Sequence, residues 1–181
     1  MKQWLRLLVA LVVLGPEVPL ATTSPSARAV REDGRPLALL LSDQARRFLA
    51  LQYRSFPTEF MGCMIGEVHD SVAHIERIAP ADVEPSHSTA SWVVPKQTCE
   101  SAGWTGTVGM IHSHPDGVRC WYFFPGTQVL SSDGQSFLRS PYALDAIMCG
   151  DRVVWIARDL VQRQVALAET GEVPVSVGAA P

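Results

Sequence analysis

Short apolar runs, without the spacing of an amphipathic helix, fill most of the chain between residues 59 and 169. Clusters of Gly, Pro, Asp and Ser separate the runs, and several runs are rich in β-branched residues, a pattern that predicts buried β-strands. The predicted strands cover residues 59–69, 72–78, 91–95, 104–114, 142–149, 153–158 and 161–169. The dipeptide Gly150-Asp151 predicts a hairpin turn between two of these strands.

Two other segments have helical patterns. Apolar residues at helical spacing predict a helix over residues 42–55, where Ser42 can cap the first turn and Pro57 follows the end. A second, short helix is predicted over residues 134–139, because a serine-rich stretch that can cap it comes directly before. Strands occur on both sides of this helix, and the other helix precedes them. This order is typical of an α+β domain, a mixed β-sheet flanked by helices.

The N-terminus has the layout of a secretory signal peptide. Lys2 and Arg6 precede an apolar run at residues 7–14, which is too short to span a membrane as a helix and is followed by small residues. Ala21 and the stretch Ala27-Arg28-Ala29 are both candidate cleavage sites, and an uncleaved N-terminal anchor is the alternative. We therefore expect an exported bacterial protein, periplasmic or secreted, without a stable membrane span.

The predicted elements divide the chain into four parts. Residues 1–29 are the signal peptide, 30–41 a polar linker, 42–169 a single domain and 170–181 a tail of small residues. The composition is that of a globular domain, since 47% of the 181 residues are apolar and 18% are charged. The net charge is −3 and the sequence contains no basic run, which argues against a nucleic-acid partner.

Four cysteines follow the predicted signal peptide: Cys63, Cys99, Cys120 and Cys149. An even number of cysteines behind an export signal predicts disulfides, and four cysteines allow 3 pairings. Cys99 and Cys120 flank the strand predicted over residues 104–114, so we expect a bridge between them. Buried free thiols are the alternative, particularly for Cys63 and Cys149, which lie in apolar strands.

The candidate chemistry lies at the end of the strand predicted over residues 104–114. Residues two apart on a strand point to the same face, so His112 and His114 project side by side, while Ser113 faces the other way. Pro115 ends the strand because it has no N–H to donate. Two neutral imidazoles on one face can bind one zinc ion. A pair of polar residues at a strand end, without a metal, is the alternative.

A hydrolytic zinc site needs a third protein ligand and a base close to the water that the zinc activates. Three motifs, in this order along the chain, resemble the JAMM (MPN-plus) zinc metalloprotease family: Glu59-x-x-Gly62, His112-Ser113-His114-Pro115 and Ser131-Ser132-Asp133. The resemblance covers roughly residues 42–169, which is most of the chain after the predicted signal peptide. It implies the mixed-sheet α+β fold of that family, with the layering of cytidine-deaminase-like domains, and the hydrolysis of amide bonds, often isopeptide bonds to ubiquitin-like tails.

The resemblance also implies a role for each matching residue. His112, His114 and Asp133 would bind Zn²⁺. Glu59 would hold and deprotonate a zinc-activated water and would then pass the proton to the leaving amine. Ser131 would donate a hydrogen bond to the oxyanion of the tetrahedral intermediate.

The chain departs from the family pattern in two places. Residues 115–132 form a longer connection than the family has, which indicates an insertion, and the serine stands one residue closer to Asp133. Ser132 is therefore the alternative to Ser131 as the oxyanion donor. Asp116 and Asp145 are the rival carboxylates for the third metal ligand.

The insertion carries Cys120 and four consecutive aromatic residues at 121–124, which either contact substrate or pack on the core. Together with the export signal, the resemblance predicts a zinc-dependent metallopeptidase or isopeptidase whose partner is a protein or peptide substrate of the cell envelope. The first alternative is a non-catalytic MPN-type binding or scaffold module. The second is a structural zinc site, which would need a fourth protein ligand.

Overall fold

The computed structural model describes residues 35–167, and their seven strands form one sheet in the order β1-β3-β2-β4-β5-β6-β7. In chain order the elements are β1 (Ala38–Leu41), α1 (Asp43–Ser55), β2 (Met61–His69), β3 (Val72–Pro80), β4 (Thr107–Ser113), α2 (Ser132–Arg139), β5 (Leu144–Cys149), β6 (Arg152–Ala157) and β7 (Gln162–Ala166). A short 3₁₀ helix, Pro85–His87, lies in the connection between β3 and β4.

The sheet is mixed. The β1–β3 and β4–β5 pairs are parallel, and the other neighbouring pairs are antiparallel. The parallel β4–β5 pair needs a long crossover, which here consists of the predicted insertion and α2. With its two helices, the described part of the chain confirms the α+β class and the mixed sheet.

The two helices cover opposite faces of the sheet, as the alternation along β6 shows. Trp155 belongs to the same apolar cluster as Leu49 of α1, whereas its neighbour Ile156 packs in the cluster of Phe137 of α2. Consecutive strand residues point to opposite faces, so β6 contributes side chains to both apolar clusters. This explains why β5 and β6 are almost continuously apolar rather than alternating.

Helix α1 begins and ends where the sequence predicts. The side chain of Ser42 accepts a hydrogen bond from the backbone N–H of Ala45 at 3.1 Å, which satisfies one of the free donors of the first turn. Near the other end, the Tyr53 hydroxyl donates to the carbonyl of His114 at 3.0 Å. The helix therefore supports the end of β4 from the sheet face opposite α2.

Three predictions about elements are wrong. Ala38–Leu41 is an edge strand rather than linker; four residues of Ala and Leu are too short a run to show a strand period. Residues 91–95 form no strand, because within residues 35–167 this stretch has a single isolated bridge, from Pro95 to Val83, and Trp92 is exposed. The strand of the histidines begins at Thr107 rather than at residue 104.

Other predictions fall on residues outside the described range. They are the signal peptide at 1–29, the first part of the linker at 30–34 and the tail at 170–181. Among residues 35–167, no helix has both the length and the apolar character needed to cross a bilayer.

Candidate metal centre

The two histidines stand at the end of β4, on the sheet face that α2 covers. His112 lies within the strand, opposite Met61 of β2 and Ile147 of β5. His114 follows the strand, and its backbone N–H donates to the carbonyl of Met148 at 3.0 Å. The imidazole centroids are 5.1 Å apart, so the rings lie side by side, as the two-residue repeat of a strand requires.

Asp133 reaches both histidines from the first turn of α2. Its Oδ1 lies 3.8 Å from Nε2 of His112, and its Oδ2 lies 3.6 Å from Nε2 of His114. One ligand atom from each of the three residues fits within a mutual distance of 4.8 Å. The structure therefore brings together two residues from β4 and one from α2 that are separated by 19 to 21 positions in the sequence.

This cluster fits a zinc ion by donor type and by spacing. Two imidazole nitrogens and one carboxylate are a frequent ligand set of catalytic zinc, and tetrahedral bonds of about 2.0–2.2 Å place ligand atoms roughly 3.4 Å apart. The separations between Asp133 and the two histidines are only slightly wider than this. Three protein ligands leave the fourth position of a tetrahedral ion free for water or substrate.

A second group of metal-ligand types is close to the first but cannot act in the same way. A ring nitrogen of His114 lies within 4.8 Å of the sulfurs of Cys120 and Cys149. These two sulfurs are joined in a disulfide, so they have no thiolate to offer a metal. His112, His114 and Asp133 are therefore the set that can bind a metal in the oxidised chain.

Glu59 lies beside this cluster, two residues before β2, and its side chain is only 5% exposed. Its Oε1 is 3.7 Å from Nε2 of His114. Burial, together with the charges of Asp133 and Asp116, raises the pKa of the Glu59 carboxyl to about 7. Its position beside the three candidate ligands makes Glu59 a candidate general base.

The residue between the two histidines holds the segment that carries this glutamate. Ser113 faces away from the cluster, as the strand repeat predicts, and its Oγ accepts a hydrogen bond from the N–H of Phe60 at 3.0 Å. Its own N–H donates to the carbonyl of Phe60, also at 3.0 Å. These two hydrogen bonds extend the β2–β4 pairing by one residue and fix Glu59 relative to the histidines.

Both imidazoles present a ring nitrogen, Nε2, to the carboxylate of Asp133. Burial, assisted by the neighbouring His114, lowers the pKa of His112 to about 3, so this ring is neutral at physiological pH. Nδ1 of His114 lies 3.0 Å from the carbonyl of Val118. A carbonyl can only accept, so Nδ1 donates to it and Nε2 is the ring nitrogen that faces Asp133.

The carboxyl of Asp133 responds to three neighbours. Burial raises its pKa, whereas the charge of His114 and a hydrogen bond from Ser132 lower it, and the net direction is upward. A bound cation would favour the ionised form.

The two candidate serines differ in what their hydroxyls already do. Ser131 is the N-cap of α2: its Oγ accepts from the N–H of Gly134 at 3.3 Å and donates to the carbonyl of Trp121 at 3.0 Å. The one proton of this hydroxyl is therefore engaged within the protein. Ser132 is exposed, lines the same cavity and bonds to the Asp133 carboxylate.

The rival carboxylates have other partners. Oδ2 of Asp145 accepts a hydrogen bond from the buried Tyr122 hydroxyl at 2.8 Å, and burial raises the pKa of this aspartate to about 8. Oδ1 of Asp116 accepts from the N–H of Val118 at 3.0 Å. Neither belongs to the ligand-atom cluster found among residues 35–167.

A cavity of about 290 Å³ opens beside the cluster, and part of its wall comes from the insertion. Trp121 and Phe124 line it, while the residues between them turn inward: Tyr122 is fully buried and Phe123 packs against the same apolar cluster. The aromatic run thus fits both alternatives predicted for it. Residues whose contribution the sequence analysis missed include Val118 and Tyr53, which act through a backbone carbonyl and a distant hydroxyl that no local motif reveals.

The cysteines form two disulfides, Cys63–Cys99 and Cys120–Cys149. The predicted Cys99–Cys120 pairing and the free-thiol alternative are both wrong. Cys99 packs with Cys63 of β2 in one apolar cluster, whereas Cys120 packs with Cys149 of β5 in another, next to His114. Two cysteines that flank a strand in the sequence therefore do not lie in the same cluster. Two disulfides are typical of a protein in an oxidising compartment.

Comparison with known proteins agrees with the family resemblance. Residues 41–121 match the family Prok-JAB, described as prokaryotic homologs of the JAB domain. The matched segment contains Glu59, His112 and His114 and ends before Asp133. A solution structure of a protein from Desulfitobacterium hafniense is similar with a TM-score of 0.39 and 17% identity, covering 71% of this chain and 90% of that one. No curated protein matches the chain.

Proposed function

We propose that this chain, which resembles the JAB/MPN family over residues 41–121, is a zinc-dependent hydrolase of amide bonds in peptides or proteins. One observation carries the proposal: His112, His114 and Asp133 converge within 4.8 Å, and a buried glutamate lies 3.7 Å from one of these ligands. A scaffold module would not need this arrangement, and a structural zinc site would need a fourth ligand.

His112, His114 and Asp133 would hold the zinc ion. When bound, zinc supplies Lewis acidity, which polarises the scissile carbonyl and makes a water acidic enough to react near pH 7. The fold determines from which sides the three ligands approach the ion. Two come from the end of β4 and one from α2, so the side that faces the cavity stays open for substrate.

Glu59 is the proposed general base. Its buried carboxylate takes a proton from the attacking water and then gives that proton to the leaving amine. In the metal-free chain its pKa is raised to about 7, mainly by burial. In the loaded protein the cation would lower this pKa and keep the resting carboxyl ionised.

Ser132, rather than Ser131, is the proposed oxyanion donor. The family resemblance implies Ser131, but the hydroxyl proton of Ser131 is engaged by the carbonyl of Trp121. Both serines line the cavity, and Ser132 can turn its hydroxyl from Asp133 to a developing oxyanion. Ser132→Ala should lower kcat about 10- to 100-fold without changing stability, whereas Ser131→Ala should mainly destabilise α2. The reverse pattern would restore the first assignment.

The cavity wall indicates the substrate class. Val118 and Phe124 are about half exposed, at 51% and 49%, and line the cavity together with Trp121. Large apolar side chains exposed beside reacting groups favour a substrate with an apolar residue next to the scissile bond. With the predicted export signal and the two disulfides, we propose a peptide or protein tail outside the cytoplasm, such as one in the cell envelope.

The test is hydrolysis of a peptide library by the zinc-loaded protein, read by mass spectrometry, with Glu59→Gln as the matched control. We expect cleavage beside apolar residues, and no cleavage by the variant, although it binds as much zinc as the wild-type chain. A wild-type chain that binds about one zinc but cleaves neither peptides nor isopeptide-linked tails would favour the scaffold alternative. A chain that binds no zinc would exclude the proposed function.

A further inference from the structure

The Cys120–Cys149 disulfide lies directly behind one of the proposed metal ligands. Both of its sulfurs are within 4.8 Å of a ring nitrogen of His114. Close before each cysteine of the bridge in the sequence is a residue whose carbonyl accepts a hydrogen bond from His114. Val118, two residues before Cys120, accepts from Nδ1 of the ring, and Met148, next to Cys149, accepts from the backbone N–H.

We propose that this disulfide is a positioning element of the metal centre. It ties the loop that carries the Val118 carbonyl to the end of β5, and so holds that carbonyl against Nδ1 of His114. The imidazole then keeps the tautomer and the orientation that direct Nε2 towards Asp133. This inference rests on the proposed function, because it assumes that His114 binds a metal.

The turn between His114 and Cys120 contains a backbone conformation that a constraint from outside the turn would stabilise. Arg119, between Val118 and Cys120, has φ +58°, a left-handed conformation that residues other than glycine rarely adopt. Asp116 accepts from the N–H of Val118, and Gly117 donates to the carbonyl of His114, but both contacts lie within the same short turn. The Tyr53 hydroxyl contacts the carbonyls of His114 and Pro115 at the start of this turn, and the disulfide adds a covalent cross-link from its other end to β5.

The other disulfide provides a matched control. Cys63–Cys99 spans 36 residues and Cys120–Cys149 spans 29, so the loops that they close in the unfolded chain are similar and comparable losses of stability are expected when either is removed. Cys63 lies in β2, and Cys99 packs with it and with Tyr142 in an apolar cluster separate from that of Cys120 and Cys149. Removing Cys63–Cys99 therefore tests stability without disturbing the support of His114.

The experiment measures zinc affinity by competition with a chromophoric chelator in two double variants, Cys120→Ala with Cys149→Ala and Cys63→Ala with Cys99→Ala. We expect the first pair to weaken zinc binding about 10- to 100-fold, the effect typical of losing an outer-shell partner. The second pair should change affinity less than about 3-fold while losing a similar amount of thermal stability. Equal affinities in both pairs, or equal losses in both, would overturn the inference.

Two further readouts keep the test decisive. A single glycine inserted after Arg119 leaves both disulfides intact but uncouples the Val118 carbonyl from the bridge, and it should also weaken zinc binding, with little change in Tm. Nitrogen-15 spectra of His114 should show a protonated Nδ1 in the wild-type chain and a mixture of tautomers in the Cys120/Cys149 variant. An unchanged tautomer would contradict the inference. Absence of zinc binding in the wild-type chain would instead contradict the proposed function.

Discussion

Two unlike regions contribute to the candidate metal centre. β4 supplies His112 and His114 from the middle of a seven-stranded sheet, where neighbouring strands fix the backbone on both sides. α2 supplies Asp133 from the first turn of an eight-residue helix that follows a long loop. The difference shows that a strand positions ligands through a repeat visible in the sequence, whereas a short helix depends on the contacts that hold its start.

The contacts at the start of α2 come from one stretch of the insertion. The N–H of Ser131 donates to the carbonyl of Tyr122 at 2.8 Å, and the Tyr122 hydroxyl and N–H donate to Asp145 and Gln162 on the sheet. Gly134 lies so close to this stretch that a Cβ would come within 2.5 Å of the Tyr122 carbonyl. Asp133 is thus placed by long-range hydrogen bonds and close packing.

Removing one proposed ligand from each region tests whether both regions contribute to metal binding. His112→Ala and Asp133→Ala should each abolish stoichiometric zinc binding, because either change leaves only two ligands. The losses in affinity should exceed the roughly 10- to 100-fold effect of losing an outer-shell partner. Metal content is measured by mass spectrometry after dialysis. Zinc retained by Asp133→Ala would show that α2 contributes no ligand and would redirect the search to Asp116.

Glu59→Gln tests the proposed base without changing the proposed zinc ligands of either region. We expect kcat to fall by about 10²–10⁴, the usual contribution of a general base, while zinc content stays at the wild-type level. The amide keeps the shape of the side chain but cannot accept the proton. Steady-state hydrolysis of the best peptide from the library, next to metal analysis of the same sample, checks both parts. Loss of zinc in this variant would indicate that Glu59 is a ligand.

Gly134→Ala tests the α2 region alone. Alanine normally stabilises a helix relative to glycine, but here its methyl group would collide with the Tyr122 carbonyl, so we expect a loss of about 1–3 kcal/mol in stability and weaker zinc binding. Gln135→Ala, at the next and exposed position of the same helix, is the control and should change neither quantity. Denaturant unfolding and zinc titration measure the two effects. Equal behaviour of the two variants would show that close packing does not place Asp133.

The smallest expected effect is the pH dependence of stability in the chelator-treated protein. The raised pKa of Glu59, caused mainly by burial, favours the protonated carboxyl in the folded state, so stability should fall as pH rises from 4.5 through about 7. The size is on the order of 1–3 kcal/mol.

His112 affects the pH dependence of stability in the opposite direction. Because its pKa is lowered in the folded chain, stability is lost as pH falls from 6.5 towards 3. The difference between the wild-type chain and Glu59→Gln isolates the glutamate from this background. Denaturant unfolding from pH 4 to 8 should show a steeper decline for the wild-type chain. Parallel curves for the two proteins would contradict the assigned pKa.

The extent of prediction from sequence differs between the two regions. The strand of the histidines, their common face and the opposite direction of Ser113 follow from the two-residue repeat, a local property. The helix at 42–55 was predicted for a similar reason, since its cap, its apolar spacing and the terminating proline are all adjacent. The edge strand β1 was missed because four residues give too short a pattern, and the pairing with β3 that stabilises it is remote in sequence.

The disulfides illustrate the same limit. Cysteine count and the export signal predicted bridges, and two are present, but the predicted partners were wrong. Pairing depends on which apolar cluster each cysteine reaches. That position is set by the β4–β5 crossover and by the loop between β3 and β4. Neither segment has a periodic sequence pattern from which its path could be predicted.

The sequence by itself determined the class of fold, the residue types of the candidate centre and the geometry of its two histidines, because these depend on short-range periodicity and on the chemistry of side chains. Only the tertiary structure decided that Asp133 faces them, that Ser131 is occupied as a helix cap and that Val118 orients His114. These features depend on contacts between segments separated by a long loop, where spacing along the chain does not determine distance in space.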